Sequence, residues 1–312
     1  MAGPPQTWTI LAVLKWTTRY FQDKGVSEPR ASAEVLLARV LGLSRLELYL
    51  RHDQPLTPEE LAAYKALIRR RVRGEPTAYL TGHKEFWSLD FLVSPATLIP
   101  RPETELLVES LLEVLRGRQF GAEVPPAPPG AGEQNRPGIP LLGLEVGVGS
   151  GAVIIALARE LPRWRWLGVE LSAPALEVAR TNAARLGVAP RVQFIQGNLL
   201  GFLKPGPWFQ AVAANLPYVP ARDWATLPVE IREYEPREAL LGGEDGLALV
   251  KPFCAEVHRF LAPGGWLAVE VGQGQAEAVR ASLADTRAYE GITTLRDYQG
   301  IPRVVRARRQ PA

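Results

Sequence analysis

The sequence is poor in the residues that build metal centres and disulfide frameworks. It has one cysteine, Cys254, and three scattered histidines, His52, His83 and His258. A single cysteine excludes an internal disulfide and a Cys-rich zinc site. Three isolated histidines disfavour a His-built site, so we expect no resident metal.

Long apolar runs are also missing. No stretch reaches the roughly 18 residues that span a bilayer, and the first residues lack the basic region and cleavage site of a signal peptide. The 46% hydrophobic and 22% charged shares exclude wholesale disorder, and 312 residues suit two domains. A net charge of +3 is too mild to indicate a nucleic-acid partner by itself. We expect a cytoplasmic globular protein with no membrane contact.

The first seventy-odd residues have the apolar spacing of helices. We predict helices over 7–25, capped by Thr7, and over 33–43. The clearest start signal is Thr57-Pro58-Glu59-Glu60, which combines a cap, a proline at the first helical position and a glutamate three residues after the cap. A helical N-terminal domain is therefore predicted over residues 1–75.

Residues 76–100 change to aromatic and aliphatic pairs around a turn-like Ser88-Leu89-Asp90. This pattern predicts a β-hairpin linker, followed by a helix over 102–115. Six prolines lie within residues 117–140 and exclude a helix interior or a central strand. We interpret that segment as a Pro/Gly-rich surface insertion.

From residue 141 onward, strands and helices alternate. The predicted strands cover 141–146, 164–170, 191–195, 209–214, 266–271, 293–295 and 303–305, and the predicted helices cover 152–160, 173–186, 246–261 and 275–283. The alternation predicts an α/β domain over 101–312 with a doubly wound, mostly parallel sheet. Such sheets bind ligands at the carboxyl ends of their strands, so functional residues should follow strands directly.

The turn after the first of these strands is rich in glycine. It reads Gly147-Val148-Gly149-Ser150-Gly151 and opens a helix. Glycines let the backbone turn sharply and let a ligand approach it closely. Such turns serve NAD, FAD and S-adenosylmethionine alike, although the spacing differs from the dinucleotide pattern G-x-G-x-x-G. The loop therefore predicts a nucleotide-containing cofactor and disfavours a dinucleotide.

Two further turns could complete a nucleoside site. Glu170 ends the second strand, where a carboxylate can accept hydrogen bonds from both ribose hydroxyls and would repel the phosphate of NADP. Asn198 and Leu199 follow the third strand, where they could meet the edge and the face of an adenine. An exposed strand-end acid and a loop asparagine are the plainer interpretations of the same residues.

Asn215-Leu216-Pro217-Tyr218 follows the fourth strand. An amide or exocyclic amine nitrogen is a poor nucleophile, and two acceptors on its N–H groups would polarise and aim it. The Asn215 side-chain oxygen and the Leu216 carbonyl could be those acceptors. Pro217 stiffens the turn, and Tyr218 offers a flat face for a planar group. The tetrapeptide therefore predicts methylation of a planar nitrogen, with Asn215 also next to the cofactor.

Several motifs resemble the peptide-chain-release-factor glutamine methyltransferases, the PrmC/HemK family. The most specific is Leu98-Ile99-Pro100-Arg101-Pro102-Glu103-Thr104-Glu105. Tyr79-Leu80-Thr81-Gly82, Tyr234-Glu235-Pro236-Arg237-Glu238-Ala239-Leu240 and the tail from Arg296-Asp297-Tyr298 to Arg303-Val304-Val305 also fit. The similarity covers nearly the whole chain apart from the proline-rich segment.

The resemblance implies a Rossmann-like, seven-stranded class I methyltransferase domain behind a small all-helical, substrate-holding domain and a hairpin linker. It implies S-adenosylmethionine as the methyl donor and the glutamine of the Gly-Gly-Gln motif of class-1 release factors as the acceptor. By position, Gly147–Gly151, Glu170 and Asn198-Leu199 match the cofactor residues, and Asn215–Tyr218 matches the family's Asn-Pro-Pro-Tyr. A monomeric enzyme, with S-adenosylhomocysteine as its product, is the corresponding expectation.

Leu216 departs from the family's proline, and three rival functions stay open. Asn-Leu-Pro-Tyr is the form seen in rRNA adenine dimethyltransferases, so the first rival is an N6-adenine methyltransferase acting on rRNA. The arginines of 69–73 and 306–309 could serve RNA, but no aromatic residues alternate with them. The second rival is a binding protein with an inactive methyltransferase fold, and the third is an NAD-dependent oxidoreductase.

Overall fold

The computed structural model describes residues 8–116 and 141–311. The predicted insertion at 117–140 lies outside these ranges. The chain divides into two compact units. Of the described residues, the first unit comprises those up to His83 together with Val93–Pro95 and Leu227–Glu235, and the second unit comprises the others.

Helices build most of the first unit. They are α1 (Ile10–Asp23), α2 (Pro29–Leu41), α3 (Arg45–Leu50), α4 (Pro58–Val72) and α5 (Thr77–Thr81). The predicted start of α4 is confirmed: the Thr57 hydroxyl accepts the N–H of Glu60 at 3.2 Å, and the Glu60 carboxylate accepts the N–H of Thr57 at 2.7 Å. These two bonds satisfy donors that the first turn of a helix would otherwise leave free.

Other predicted helix bounds in this unit are wrong by several residues. Thr9 caps α1 by accepting the N–H of Ala12 at 3.3 Å, and Thr7, the predicted cap, lies outside the described residues. The second helix begins at Pro29, because proline suits the first helical position and the preceding Glu28 has a φ of 45° that ends any earlier helix. Residues 77–81, predicted to be extended, form α5.

A two-stranded hairpin follows, formed by β1 (His83–Phe86) and β2 (Leu89–Leu92). Its turn lies at Trp87-Ser88, whose φ values are 53° and 54°. Positive φ at both central residues matches the twist of a tight hairpin. The predicted turn at 88–90 is therefore displaced, since Leu89 and Asp90 already belong to β2.

The second unit contains a seven-stranded sheet in the order β5-β4-β3-β6-β7-β9-β8, which confirms the predicted fold class. The strands are β3 (Leu141–Val146), β4 (Trp164–Glu170), β5 (Val192–Gln196), β6 (Phe209–Ala214), β7 (Leu261–Glu270), β8 (Tyr289–Arg296) and β9 (Pro302–Arg309). The first five positions are parallel, and β9 is antiparallel to both of its neighbours.

Helices cover both faces of this sheet. They are α6 (Glu105–Leu115), α7 (Ala152–Glu160), α8 (Ala173–Arg185), α10 (Val250–Glu256) and α11 (Ala276–Asp285), while the short α9 (Val229–Arg232) belongs to the first unit. Leu107, Ala156 and Ala179 share one buried cluster, and Phe253 and Val279 belong to another. Two cores on opposite faces are the expected packing of a doubly wound sheet.

The predicted helix over 246–261 is wrong. Gly246 has a φ of 79°, outside the helical region, and only 250–256 is α-helical. The Pro-Gly-Gly at 263–265 lies within β7, where the register with β6 shifts between Phe209 and Ala211. A β-bulge accommodates these residues within the strand. β7 therefore begins at Leu261, before the apolar run at 266–271 on which the prediction was based.

The strand order brings two distant turns together. The next strand in the chain after β3 is β4, which pairs with one edge of β3, whereas β6 pairs with the opposite edge. A crevice forms at such a switch point, outside the carboxyl ends of the strands. The turns after β3 and β6, at 147–151 and 215–218, therefore border the same space.

Candidate active site

A cavity of about 350 Å³ opens at the carboxyl ends of β3, β4, β5 and β6. Ten of the predicted site residues line it: Gly147, Val148, Gly149, Ser150, Glu170, Asn198, Leu199, Asn215, Leu216 and Pro217. Gly151 and Tyr218 lie outside the lining, with Gly151 at the N-cap of α7.

The glycine loop and the turn after β6 approach each other closely. A Cβ on Gly147, whose φ is 82°, would lie 2.8 Å from the backbone oxygen of Asn215. The side chain of Leu216 is 3.3 Å from the same point and is itself buried. Only glycine fits both this φ and this contact, so Gly147 allows the two turns to share one cavity.

Glu170 braces the glycine loop from β4. Its Oε2 accepts the N–H of Gly149 at 2.9 Å, and its Oε1 accepts the N–H of Ser172 at 3.0 Å. Each carboxylate oxygen can accept a second hydrogen bond. The half-buried carboxylate can therefore hold the loop and bind hydroxyl groups in the cavity at the same time.

Glu145 supplies a second carboxyl group to the lining and is 1% exposed. Its Oε2 accepts the N–H of Ile154 at 2.9 Å, in the first turn of α7. Burial raises the pKa of Glu145 well above its ordinary value, and this hydrogen bond opposes the rise. The side chain caps α7, whose N-cap residue Gly151 has no side chain to do so.

The turn after β5 presents Asn198 and Leu199 to the cavity. Gly197 donates its N–H to the carbonyl of Glu170 at 3.0 Å, which ties this turn to the end of β4. Leu199 has a φ of 48°, an uncommon conformation for a branched residue. Asn198 and Leu199 therefore line the same cavity as Glu170.

Thr104 orients the side chain of Asn215. The Nδ2 of Asn215 donates to the Oγ1 of Thr104 at 3.3 Å, and both residues line the cavity. With its nitrogen engaged in this way, the amide presents its Oδ1 as an acceptor.

Tyr218 is held from several sides. Its hydroxyl donates to the Oε1 of Glu270 at 3.3 Å, and its carbonyl accepts the Nε2 of Gln275 at 2.8 Å. A Cβ on Gly246 would lie 2.2 Å from that carbonyl. Burial and the Glu270 carboxylate raise the pKa of the Tyr218 phenol. The turn after β6 is therefore held by hydrogen bonds at Tyr218 as well as at Asn215.

Sequence reasoning missed Thr104, Glu270, Gln275 and Gly246 as parts of this site. Thr104 lies inside the most specific motif of the sequence, and Glu270 ends a buried parallel strand. An acidic residue at the carboxyl end of a strand that pairs in parallel is a sequence signal that could have identified Glu270 as a site residue. Gln275 and Gly246 carry no comparable local signal.

Comparison with known proteins decides the family. A family model described as the PrmC N-terminal domain matches residues 12–82, and one described as a methyltransferase domain matches residues 144–234. The release factor glutamine methyltransferase of Geobacter sulfurreducens is 42% identical over 99% of both chains. That of Rhodopirellula baltica is 34% identical over 96% of this chain and 95% of its own.

The chain belongs to the release factor glutamine methyltransferase family. Among solved structures, the hMettl16 catalytic domain is 12% identical, with a TM-score of 0.52 over 76% of this chain and 80% of that one. That likeness concerns the fold alone. In this member of the release factor glutamine methyltransferase family, no helix within 8–116 or 141–311 is both long and apolar enough to cross a membrane.

The described part of this family member contains no group of three or more His, Cys, Asp or Glu side chains placed to hold a metal ion. The cavity lining instead includes the carboxyl groups of Glu145 and Glu170 and the side-chain amides of Asn198 and Asn215. These groups suit a ligand that combines hydroxyl groups with a flat ring.

Proposed function

We propose that this enzyme transfers the methyl group of S-adenosylmethionine to the side-chain amide nitrogen of the glutamine in the Gly-Gly-Gln motif of class-1 peptide chain release factors. The product is N5-methylglutamine. The observation that carries the proposal is the amide of Asn215, which lines the cavity and whose Nδ2 donates to Thr104, so that its Oδ1 is left to accept a substrate N–H. The curated relatives, named for the same reaction, support the choice of substrate.

The cavity residues fit the proposed cofactor. A volume of about 350 Å³ lies within the usual range of roughly 300–1,000 Å³ for small-molecule sites. We assign the ribose hydroxyls to Glu170, the adenine to Asn198 and Leu199, and the remaining contacts to the loop at 147–151. When bound, S-adenosylmethionine supplies an electrophilic methyl group on a sulfonium.

The residues of the 215–218 turn would then orient the acceptor. The Asn215 Oδ1 and the Leu216 carbonyl accept the two N–H groups of the glutamine amide and direct its nitrogen toward the methyl carbon. Pro217 adds no competing N–H, and Tyr218 forms the anchored end of the turn. As the new N–C bond forms and the C–S bond breaks, the nitrogen loses one proton to water. Positioning of this kind can lower a barrier by up to about 7–11 kcal/mol.

The same proposal gives a role to each of the predicted domains and to the linker. The helical domain over 1–75 and the linker over 76–100 hold the release factor, and the domain over 101–312 carries the chemistry. A release-factor substrate also suits a cytoplasmic enzyme.

Mass spectrometry tests the proposal directly. The enzyme is incubated with S-adenosylmethionine and a class-1 release factor, or with that factor carrying alanine at the Gly-Gly-Gln glutamine. We expect the first factor to gain one methyl group, located on that glutamine by fragmentation, and the second to gain none. A parallel reaction with bare rRNA tests the adenine alternative, and label found only in RNA would overturn the proposal.

A further inference from the structure

A buried carboxyl group lies behind the proposed reactive turn. Glu270 ends β7 and is 2% exposed. Its Oε1 accepts the Tyr218 hydroxyl at 3.3 Å, whereas its Oε2 has no hydrogen-bond partner among the described residues. A buried carboxyl oxygen without a partner costs stability, so such groups in native proteins call for an explanation.

The same carboxyl group also reaches the other end of the turn. Thr104 favours the ionised form of Glu270, and its hydroxyl oxygen accepts the Nδ2 of Asn215. A hydroxyl can donate one bond while accepting another. Glu270 therefore contacts Tyr218 directly, and the Thr104 hydroxyl, which is bonded to Asn215, is the group that could donate to the unpartnered Oε2 of Glu270.

Charged groups face this carboxyl from the neighbouring elements. Arg303 of β9 favours its ionised form and is itself paired with Asp297 at 2.9 Å, while Glu103 opposes ionisation. Arg101 acts on the adjoining Tyr218 phenol. Burial outweighs the favourable contacts and raises the pKa of Glu270 to about 7.

We propose that Glu270 is a positioning residue for methyl transfer, whose ionised carboxylate accepts the hydroxyls of Thr104 and Tyr218 and so holds the Asn215–Tyr218 turn with the Asn215 Oδ1 toward the acceptor amide. This inference rests on the proposed function. It also gives a role to the C-terminal motif, because Asp297 and Arg303 supply the charge pair beside the carboxylate.

The protonation state of Glu270 decides whether the network is complete. An ionised carboxylate only accepts hydrogen bonds, so Thr104 must donate to it and keeps its lone pairs for Asn215. A protonated carboxyl can donate to Thr104 instead, which frees the Thr104 O–H to donate to the Asn215 Oδ1 and so removes the preference for the orientation that points this oxygen toward the acceptor. The turnover number should therefore rise with pH through about 7.

The test measures kcat, KM and the pH profile of Glu270→Gln in the full chain, with a class-1 release factor and S-adenosylmethionine. We expect kcat to fall by about 10- to 100-fold, because misplacing reacting groups by about 1 Å can cost roughly 100-fold. The rise of kcat near pH 7 should disappear, and the Kd for S-adenosylhomocysteine should stay within about twofold of the wild-type value. Glu290→Gln is the matched control, since Glu290 is an exposed acid of β8 paired with Arg308 at 3.1 Å, and it should leave kcat, the pH profile and the Kd unchanged.

If Glu270→Gln does not fold, two other variants test whether Glu270 positions the turn. Thr104→Val and Tyr218→Phe each remove one link and should each lower kcat, and Thr104→Val should also flatten the pH profile. Unchanged kcat and pH profile in these variants, or in a folded Glu270→Gln, would overturn the inference while leaving the proposed function intact. A wild-type enzyme that does not methylate the release factor would overturn both.

Discussion

The side-chain nitrogen of Asn215 donates to the hydroxyl of Thr104 at 3.3 Å, although 111 residues separate the two in the chain. The bond joins the turn after β6 to the segment that precedes α6. Because the nitrogen is engaged, the oxygen of the same amide is the atom left to accept a substrate N–H.

Replacing Asn215 with alanine should therefore affect turnover and not cofactor binding. We expect kcat to fall by about 10²- to 10³-fold, the usual effect of removing one preorganised hydrogen-bonding group. The Kd for S-adenosylhomocysteine, measured by calorimetry, should change little. A loss of cofactor affinity in proportion to the loss of kcat would contradict the division of roles between this turn and the glycine loop.

Glu170→Gln should have the opposite effect. The carboxylate braces Gly149 and Ser172 and is assigned to the ribose. Loss of charged hydrogen bonds worth about 1.5–3 kcal/mol should raise the Kd for S-adenosylhomocysteine by about 10- to 100-fold. Glu177→Gln, on the exposed side of α8, is the control and should bind as the wild type does. Equal affinities for all three proteins would remove Glu170 from the cofactor site.

Gly246→Ala tests whether the clamped turn matters for activity. The new Cβ would lie 2.2 Å from the Tyr218 carbonyl, so the turn must shift. Gly187→Ala is a matched control, because its φ of 73° resembles the 79° of Gly246 but no described neighbour lies within 4 Å of its Cβ. Both should lose about 1 kcal/mol of stability from backbone strain. Only Gly246→Ala should lose most of its kcat, and similar kcat values for the two variants would argue against a rigid turn.

Arg71 links two separate parts of the first unit. Its side chain is 2% exposed, and it donates to Glu230 at 2.7 Å and to the Ser27 hydroxyl at 2.8 Å. Breaking this pair in Arg71→Ala should lower the free energy of unfolding by about 3 kcal/mol and speed amide hydrogen exchange in 227–235. Arg70→Ala is the control, since the Arg70 side chain is half exposed and its loss should cost under about 1 kcal/mol. Unchanged exchange in 227–235 after Arg71→Ala would show that other contacts hold that segment.

Glu270 should make stability depend on pH. Its pKa is about 7 in the folded chain against an ordinary 4.5, so the folded state binds more protons than the unfolded state between these values. The free energy of unfolding should therefore fall as pH rises from about 4.5 to 7, by about 3 kcal/mol from this residue. Urea unfolding of the wild type and of Glu270→Gln across that range measures the difference. Parallel pH curves for the two proteins would refute the assignment.

Local patterns in the sequence were enough to predict much of the second unit. The bounds of β3, β4, β6 and α7 agree with the prediction, because each apolar run ends at a glycine, a glutamate or an asparagine. The prediction of a continuous helix over 246–261 was wrong because Gly246 takes a non-helical φ, which makes room for the Tyr218 carbonyl. That contact is tertiary, and no local pattern encodes it.

The amino-acid sequence by itself determined the fold class, the motifs after the strands and the family resemblance, since these depend on periodicity, spacing and residue type. Only the tertiary structure decided that Thr104 and Glu270 meet the ends of the Asn215–Tyr218 turn and that Gly147 lies against it. The physical reason is the strand order, which places β6 beside β3 and β7 beside β6. That order results from the packing of both faces of the sheet and brings together side chains that no local spacing connects.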